Sequence, residues 1–206
     1  MRIEKIERSK QKQGRVLVRL EGGDLLRITE DELLRFDLYT GLDITAEAVV
    51  ELQQCAARSE TRLRAAHIVS ARALSKRELT DRLCAKGASA ENAQAAADWL
   101  EGVGALDDLA YAKTVVRHYS AGGYGAARIR DELRRRGVAR ELWDEALAEA
   151  PDAGETIARV IAAKTKGKSL GEKAYKKLSD LLLRRGFAWR DVKAALRALG
   201  AEIEEE

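Results

Sequence analysis

Ile129-Arg130-Asp131-Glu132-Leu133-Arg134-Arg135-Arg136-Gly137-Val138 decides the fold, because it is one of three copies of a single pattern. A leucine or isoleucine is followed four residues later by a leucine, then by a basic residue and a glycine. The other copies are Leu79…Leu83…Lys86-Gly87 and Leu178…Leu182…Arg185-Gly186, so the glycines recur after 50 and then 49 residues. Apolar residues at i and i+4 form one stripe of an α-helix. The glycine supplies a left-handed C-cap behind a cation in the last turn. Ala88, Val138 or Phe187 then packs back as the chain reverses. Recurrence at this period marks tandem supersecondary units.

Working outward, each copy is followed by a second helix, over roughly Ala90–Glu101, Arg140–Ala148 and Trp189–Leu199. Each is preceded by another amphipathic segment, Thr61–Ala73, Asp108–Ser120 or Glu155–Lys166. The predicted fold is therefore mainly α: three tandem three-helix repeats over 59–104, 105–151 and 152–206. A unit this small buries too little apolar surface alone, so the repeats are expected to stack into an elongated, curved body. Residues 1–58 differ. Arg2–Arg8, Arg15–Leu20 and Leu25–Ile28 are short segments with β-formers, broken at Gly14 and at Gly22-Gly23-Asp24, and predict a small N-terminal β-ribbon. Thr29-Glu30-Asp31-Glu32 carries a capping-box pattern that starts a short helix ending near Gly41. Another helix begins near Thr45 and runs, with a break, into the fifties.

Composition removes several function classes. At 206 residues the chain holds one or two ordinary domains, and no apolar run is long enough to span a bilayer. Met1–Lys10 lacks the apolar stretch of a secretory signal. Cys55 and Cys84 cannot build a disulfide framework, which points to a reducing cytoplasm. His67 and His118 stand alone, without zinc-ligand spacing, so no metal or other cofactor is expected. Gly167-Lys168-Ser169 resembles the end of a phosphate-binding loop, but Ala162 stands where that loop requires its first glycine. Gly122-Gly123-Tyr124-Gly125 reads as a flexible helix connection. Asp107 and Asp108, ahead of a helical run, read as N-caps rather than as a catalytic pair, and Ser75–Glu78 is a second capping box. Trp99, Trp143 and Trp189 all fall on second helices and read as packing residues. The chain is not expected to be an enzyme.

The net charge of +3 conceals basic blocks, at residues 1–19 and again from Arg117 to the acidic Glu204–Glu206 end. Such blocks suit a polyanion partner or a solvated helix surface. On the second repeat's central helix Arg128, Arg134 and Arg135 point away from the Ile129–Leu133 stripe, and Arg130 lies to one side. On the third, Lys173, Lys177 and Arg184 share a stripe that also holds Asp180, with Lys176 beside it. These eight cations are the candidate contacts. Their geometry fits phosphates, without sequence specificity, on single- or double-stranded DNA.

Ala73-Leu74-Ser75-Lys76-Arg77-Glu78-Leu79 with Leu83 and Lys86-Gly87, then Leu106-Asp107-Asp108 and Tyr111-Ala112, resembles the RecX family of bacterial recombination regulators. So does Gly123-Tyr124-Gly125 through Arg128-Ile129 and Glu132-Leu133 to Arg136-Gly137-Val138. The resemblance spans roughly residues 60–200, with the third repeat patterned more weakly. The β-ribbon resembles an extension found in some longer members. The resemblance implies a modular protein, here expected to be a monomer, that lodges in the groove of the RecA–DNA filament. There it would block filament growth or promote disassembly, lowering ATP hydrolysis, strand exchange and co-protease activity. An architectural DNA-binding repeat protein acting without RecA is the alternative the residues leave open.

Overall fold

The computed structural model describes residues 1–10, 14–165 and 172–204 of the chain. It is mainly helical with a small N-terminal sheet, as expected, and divides into two compact units. One comprises Met1–Arg72 and Leu79–Ala105; the other comprises Ala73–Glu78 and the chain from Leu106 onward.

In the first unit β1 (Ile3–Arg8), β2 (Arg15–Leu20) and β3 (Leu25–Thr29) form an antiparallel sheet in the order β1-β2-β3. The β2–β3 connection turns through Gly22 and Gly23, at φ +101° and +94°, a region that disfavours any side chain. Ile3, Val16, Val18, Leu20, Leu26 and Ile28 alternate onto one face and are buried in a cluster with Leu38, Ile44, Val49 and Leu52. Helix α1 (Glu30–Arg35) starts with the predicted box: Glu32 N–H donates to Thr29 Oγ1 at 3.1 Å and Thr29 N–H to Glu32 Oε2 at 2.8 Å.

The expected break in the fifties is corrected. Helix α2 (Ala46–Ala71) is a single 26-residue helix. Nothing between Thr45, its N-cap, and Arg72 breaks it, because the segment contains neither glycine nor proline. The first repeat's leading helix is thus the second half of α2. Helices α3 (Lys76–Ala85) and α4 (Ala90–Gly102) follow as predicted, and α4 packs against α2 through Ala93, Ala96, Ala97 and Leu100.

In the second unit α5 (Asp108–Ala121) and α6 (Ala126–Arg135) match the sequence reading. The third helix does not. Arg140–Leu142 is a 3₁₀ turn, and α7 covers only Trp143–Leu147. The buried Trp143 indole N–H donates to the Val138 carbonyl at 3.0 Å and fixes this short element on the turn that follows α6. Helices α8 (Ala153–Thr165), α9 (Glu172–Arg184) and α10 (Trp189–Glu204) complete the third repeat. The Gly167-Lys168-Ser169 motif lies outside the described residues.

The repeat glycines do more than end helices. Gly125 N–H donates to the Arg185 carbonyl at 2.8 Å, and Ala127 N–H to the Gly186 carbonyl at 3.1 Å. The equivalent partners one repeat earlier are Ser75, whose hydroxyl donates to the Arg136 carbonyl, and Gly137, beside Arg77. In each case the start of one repeat's central helix seats on the Arg-Gly turn that ends the next repeat's central helix. A Cβ on Gly137 would lie 2.8 Å from Arg77 Cβ, and one on Gly186 2.7 Å from Arg128 Cβ. The first repeat's turn has no such neighbour: nothing lies within 4 Å of a Cβ built on Gly87, and Arg64 Nη1 donates to the Lys86 carbonyl at 2.8 Å. Arg64 closes that turn from within its own unit. Ser75 also completes its capping box, accepting from Glu78 N–H at 3.0 Å. Ser75→Ala is therefore expected to cost about 1–2 kcal/mol in thermal melts followed by circular dichroism.

Candidate nucleic-acid interface

Asp107 and Asp108 act as caps, on two different helices. Asp107 Oδ1 accepts from Ala110 N–H at 2.9 Å at the start of α5. Asp108 Oδ1 accepts from Lys76 N–H at 2.7 Å at the start of α3. Both carboxylates are thus engaged by helix termini. Among the described residues no group of histidine, cysteine and acidic side chains could hold a metal, and Cys55 and Cys84 are free thiols.

The packing role expected for the tryptophans holds for Trp143 alone. Trp99 is 39% exposed and Trp189 57% exposed. The α4 stripe is filled by alanines and Leu100, which leaves Trp99 at its margin with the Arg62 guanidinium 5.7 Å from the ring centre. Trp189 is the first residue of α10, ahead of the buried Val192.

On α6 the candidate cations Arg128, Arg130, Arg134 and Arg135 are all exposed, while Ile129, Leu133 and Glu132 are buried. Three of the four have acidic partners. Arg130 faces Asp144 at 3.8 Å, Arg134 pairs with Asp131 at 3.0 Å, and Arg135 grips Glu132 at 2.6 Å. Glu132 organises this end of the helix. Its Oε1 also accepts from Arg136 Nε at 2.5 Å, and Arg136 in turn donates to the Tyr111 hydroxyl. Tyr111 donates to Glu78 at 3.0 Å. Burial pushes the Glu132 carboxyl up, but the hydrogen bonds from Arg135, Arg136 and Tyr119 outweigh it and hold the group at about 2. Arg128, free of any acidic partner among the described residues, remains available to a phosphate.

The cations of α9 are less encumbered. Lys176, Lys177 and Arg184 are exposed and have no ion-pair partner among the described residues. Lys177 and Arg184 line a groove of about 470 Å³ with Leu178, Leu181 and Asp180 of α9 and with Lys164 and Thr165 of α8. Among the described residues, three cations against one carboxylate give its lining a net charge of +2. Lys164 was not among the sequence candidates, because its helix carries no basic stripe that would single it out. Lys173 lies in α9, but its side chain falls outside the described residues. Arg185, adjacent to the candidates, is half-buried and engaged by backbone carbonyls. Its Nη1 donates to the Gly122 and Gly123 carbonyls at 3.2 and 3.1 Å, and the guanidinium stacks over Tyr124 at 5.5 Å.

A sheet ahead of helices that repeat the same Arg-Gly or Lys-Gly turn, with exposed cations on α6 and α9, defines a tandem three-helix-repeat protein. The chain belongs to the RecX family. Residues 107–147 match the RecX second three-helix domain. Regulatory protein RecX of Vibrio campbellii is 36% identical over 134 residues, covering 64% of this chain and 86% of that protein. Regulatory protein RecX of Streptococcus gordonii is 25% identical over 209 residues, covering 100% of this chain and 80% of that one. Among solved structures, a regulatory protein RecX shares the fold at a TM-score of 0.74 with 21% identity, over 94% of this chain and 98% of its own. RecX from Lactobacillus salivarius gives a TM-score of 0.62 with 19% identity, over 70% and 97%. No described helix is long and apolar enough to cross a membrane.

Proposed function

We propose that this chain is a non-enzymatic, cytoplasmic regulator that binds the RecA filament on DNA. It would inhibit filament assembly, ATP hydrolysis, strand exchange and co-protease activity. The observation that carries the reading is the set of cations around the α8–α9 groove that have no acidic partner among the described residues, Lys177 and Arg184 with Lys176 beside them, in a chain of this family. Lysine and arginine on a helix face neutralise phosphates without reading bases, as a protein seated along a filament of any sequence requires. Repeats 59–104, 105–151 and 152–206 would each add a weak contact. Because they are tethered, the contacts combine at effective concentrations of roughly millimolar order. The protein would act as a monomer, with no cofactor.

The test is single-strand-dependent ATP hydrolysis by RecA, with this protein added to a preformed filament and DNA in excess. Inhibition well below one protein per RecA subunit supports the reading and favours capping or disassembly over one-for-one competition. Salt-sensitive DNA binding without any effect on RecA would favour an architectural protein instead. Charge reversal at Arg128, Arg134 and Arg135 is expected to weaken filament or DNA binding about tenfold or more with unchanged helicity. Arg128 should account for most of that loss, since Arg134 and Arg135 are already paired to acids.

A further inference from the structure

The helical cations leave the N-terminal sheet without a task. Its inner face is buried, whereas its outer face follows from the strand register: Lys5 opposite Arg19, Arg19 opposite Leu25, Glu7 opposite Leu17, and Leu17 opposite Arg27. Lys5, Arg19 and Arg27 are exposed, and Arg19 and Arg27 have no ion-pair partner among the described residues. Glu7 is 2.7 Å from Lys5 Nζ and the exposed Glu4 sits in the bulge beside Lys5, so three cations on this side stand against two carboxylates, a net charge of +1. Glu21 and Asp24 bound it at the hairpin end, and Arg15, the next outer position on β2, is buried.

Two features make this more than a solvated surface. Lys5 and Arg19 are directly opposed like charges, an arrangement that destabilises a sheet rather than supporting it. From Arg19 the line continues diagonally to Arg27, a step of about 7–8 Å in such a register. A row of cations therefore crosses all three strands, flanked by the apolar side chains of Leu17 and Leu25, with no aromatic ring to stack a base.

We propose that the outer face of the β-sheet is a second nucleic-acid contact, in which Lys5, Arg19 and Arg27 bind the phosphodiester backbone of a strand without sequence preference. The proposal rests on the nucleic-acid part of the function proposed above, but not on RecA or on the helical cations. A polyanion adds to the partial offset of the Lys5–Arg19 repulsion that Glu7 supplies at Lys5. The absence of aromatics predicts equal affinity for different base compositions.

The experiment compares full-length protein with the Arg19→Gln/Arg27→Gln variant, titrated onto a fluorescein-labelled single-stranded oligonucleotide across a range of NaCl concentrations. The slope of log affinity against log salt is expected to become shallower by about 1.4, from two cations at about 0.7 each. The charge-keeping variant Arg19→Lys/Arg27→Lys should retain the original slope. An unchanged slope in the glutamine variant overturns the proposal, and so does a slope lost in the lysine variant, which would make the effect structural. Tighter binding of poly-glutamate than of the oligonucleotide, with the same dependence on Arg19 and Arg27, would reassign the face to acidic polypeptides and also overturn it. A parallel Lys176→Gln/Lys177→Gln/Arg184→Gln variant separates the two surfaces. If it binds normally while the sheet variant is impaired, the helical site fails and the sheet proposal stands.

Discussion

Gly186→Ala is expected to cost the second unit about 3 kcal/mol or more, roughly twice the effect of the same change at Gly87. The two glycines have nearly the same backbone, φ +87° and +90°. A side chain in that left-handed region costs about 1–2 kcal/mol at either position. What differs is the surroundings. Nothing lies within 4 Å of a Cβ on Gly87, whereas one on Gly186 would meet Arg128 Cβ at 2.7 Å and fall on the Arg128 backbone. Backbone cannot rotate aside, so a further penalty of about 1–3 kcal/mol is expected from overpacking. Gly125→Ala tests the packing component by itself. Its φ of −87° suits any residue, yet its Cβ would lie 2.5 Å from Phe187 N. Hydrogen exchange should report both losses in α6 and α9, whose joint is opened, while α2 and α4 stay protected. Equal costs at Gly186 and Gly87 would mean that the turn accommodates a side chain and that the joint is not close-packed. A protein with the joint opened should also lose more of its effect on a filament than on short DNA, because only the former needs several repeats held in register.

Much of this was legible because local rules and tertiary contacts agree. The Leu-x₃-Leu stripes, the glycine caps and the two capping boxes each specify an element from neighbours in sequence, and all of them formed. Two readings failed where no local signal exists. The composition of residues 46–71 suits a helix throughout, and the expected interruption had no glycine or proline to cause it. Conversely, Arg140–Leu147 has a helical composition, but the Trp143–Val138 bond pulls its first turn into a tighter coil. The candidate site was legible as a list of cations and illegible as a balance of charge. Asp131 and Arg134 lie three residues apart on one helix, whereas only the fold brings Asp144 to Arg130 and Lys164 to the α9 groove. The joint was hidden for the same reason. A glycine that ends a helix and a glycine that receives a backbone look identical in sequence, and Gly87 and Gly186 differ only in what the preceding segment places against them.

Glu132→Gln is expected to weaken the fold and strengthen DNA binding at the same time, a combination that separates the two roles of Arg135. Glu132 is 5% exposed and accepts from Arg135 and Arg136, which holds its carboxyl at about 2, below an ordinary glutamate. Because the folded value lies below the unfolded one, the carboxylate stabilises the folded state fully above about pH 5. That contribution, about 3 kcal/mol, is lost as the pH falls toward 2. The glutamine variant should therefore melt lower at pH 7 and lose this part of the acid sensitivity, so that the wild-type and variant melting curves converge near pH 2. Removal of the carboxylate also frees Arg135, whose side chain is 70% exposed, to meet a phosphate. Below the variant's melting range, its DNA affinity should rise and its salt dependence steepen by up to about 0.7–0.9, the contribution of one added cation. Arg136 cannot supply that gain, since its guanidinium is turned inward onto Tyr111. Weaker DNA binding by a folded Glu132→Gln protein would place Arg135 off the interface and leave Arg128 as the contact on α6.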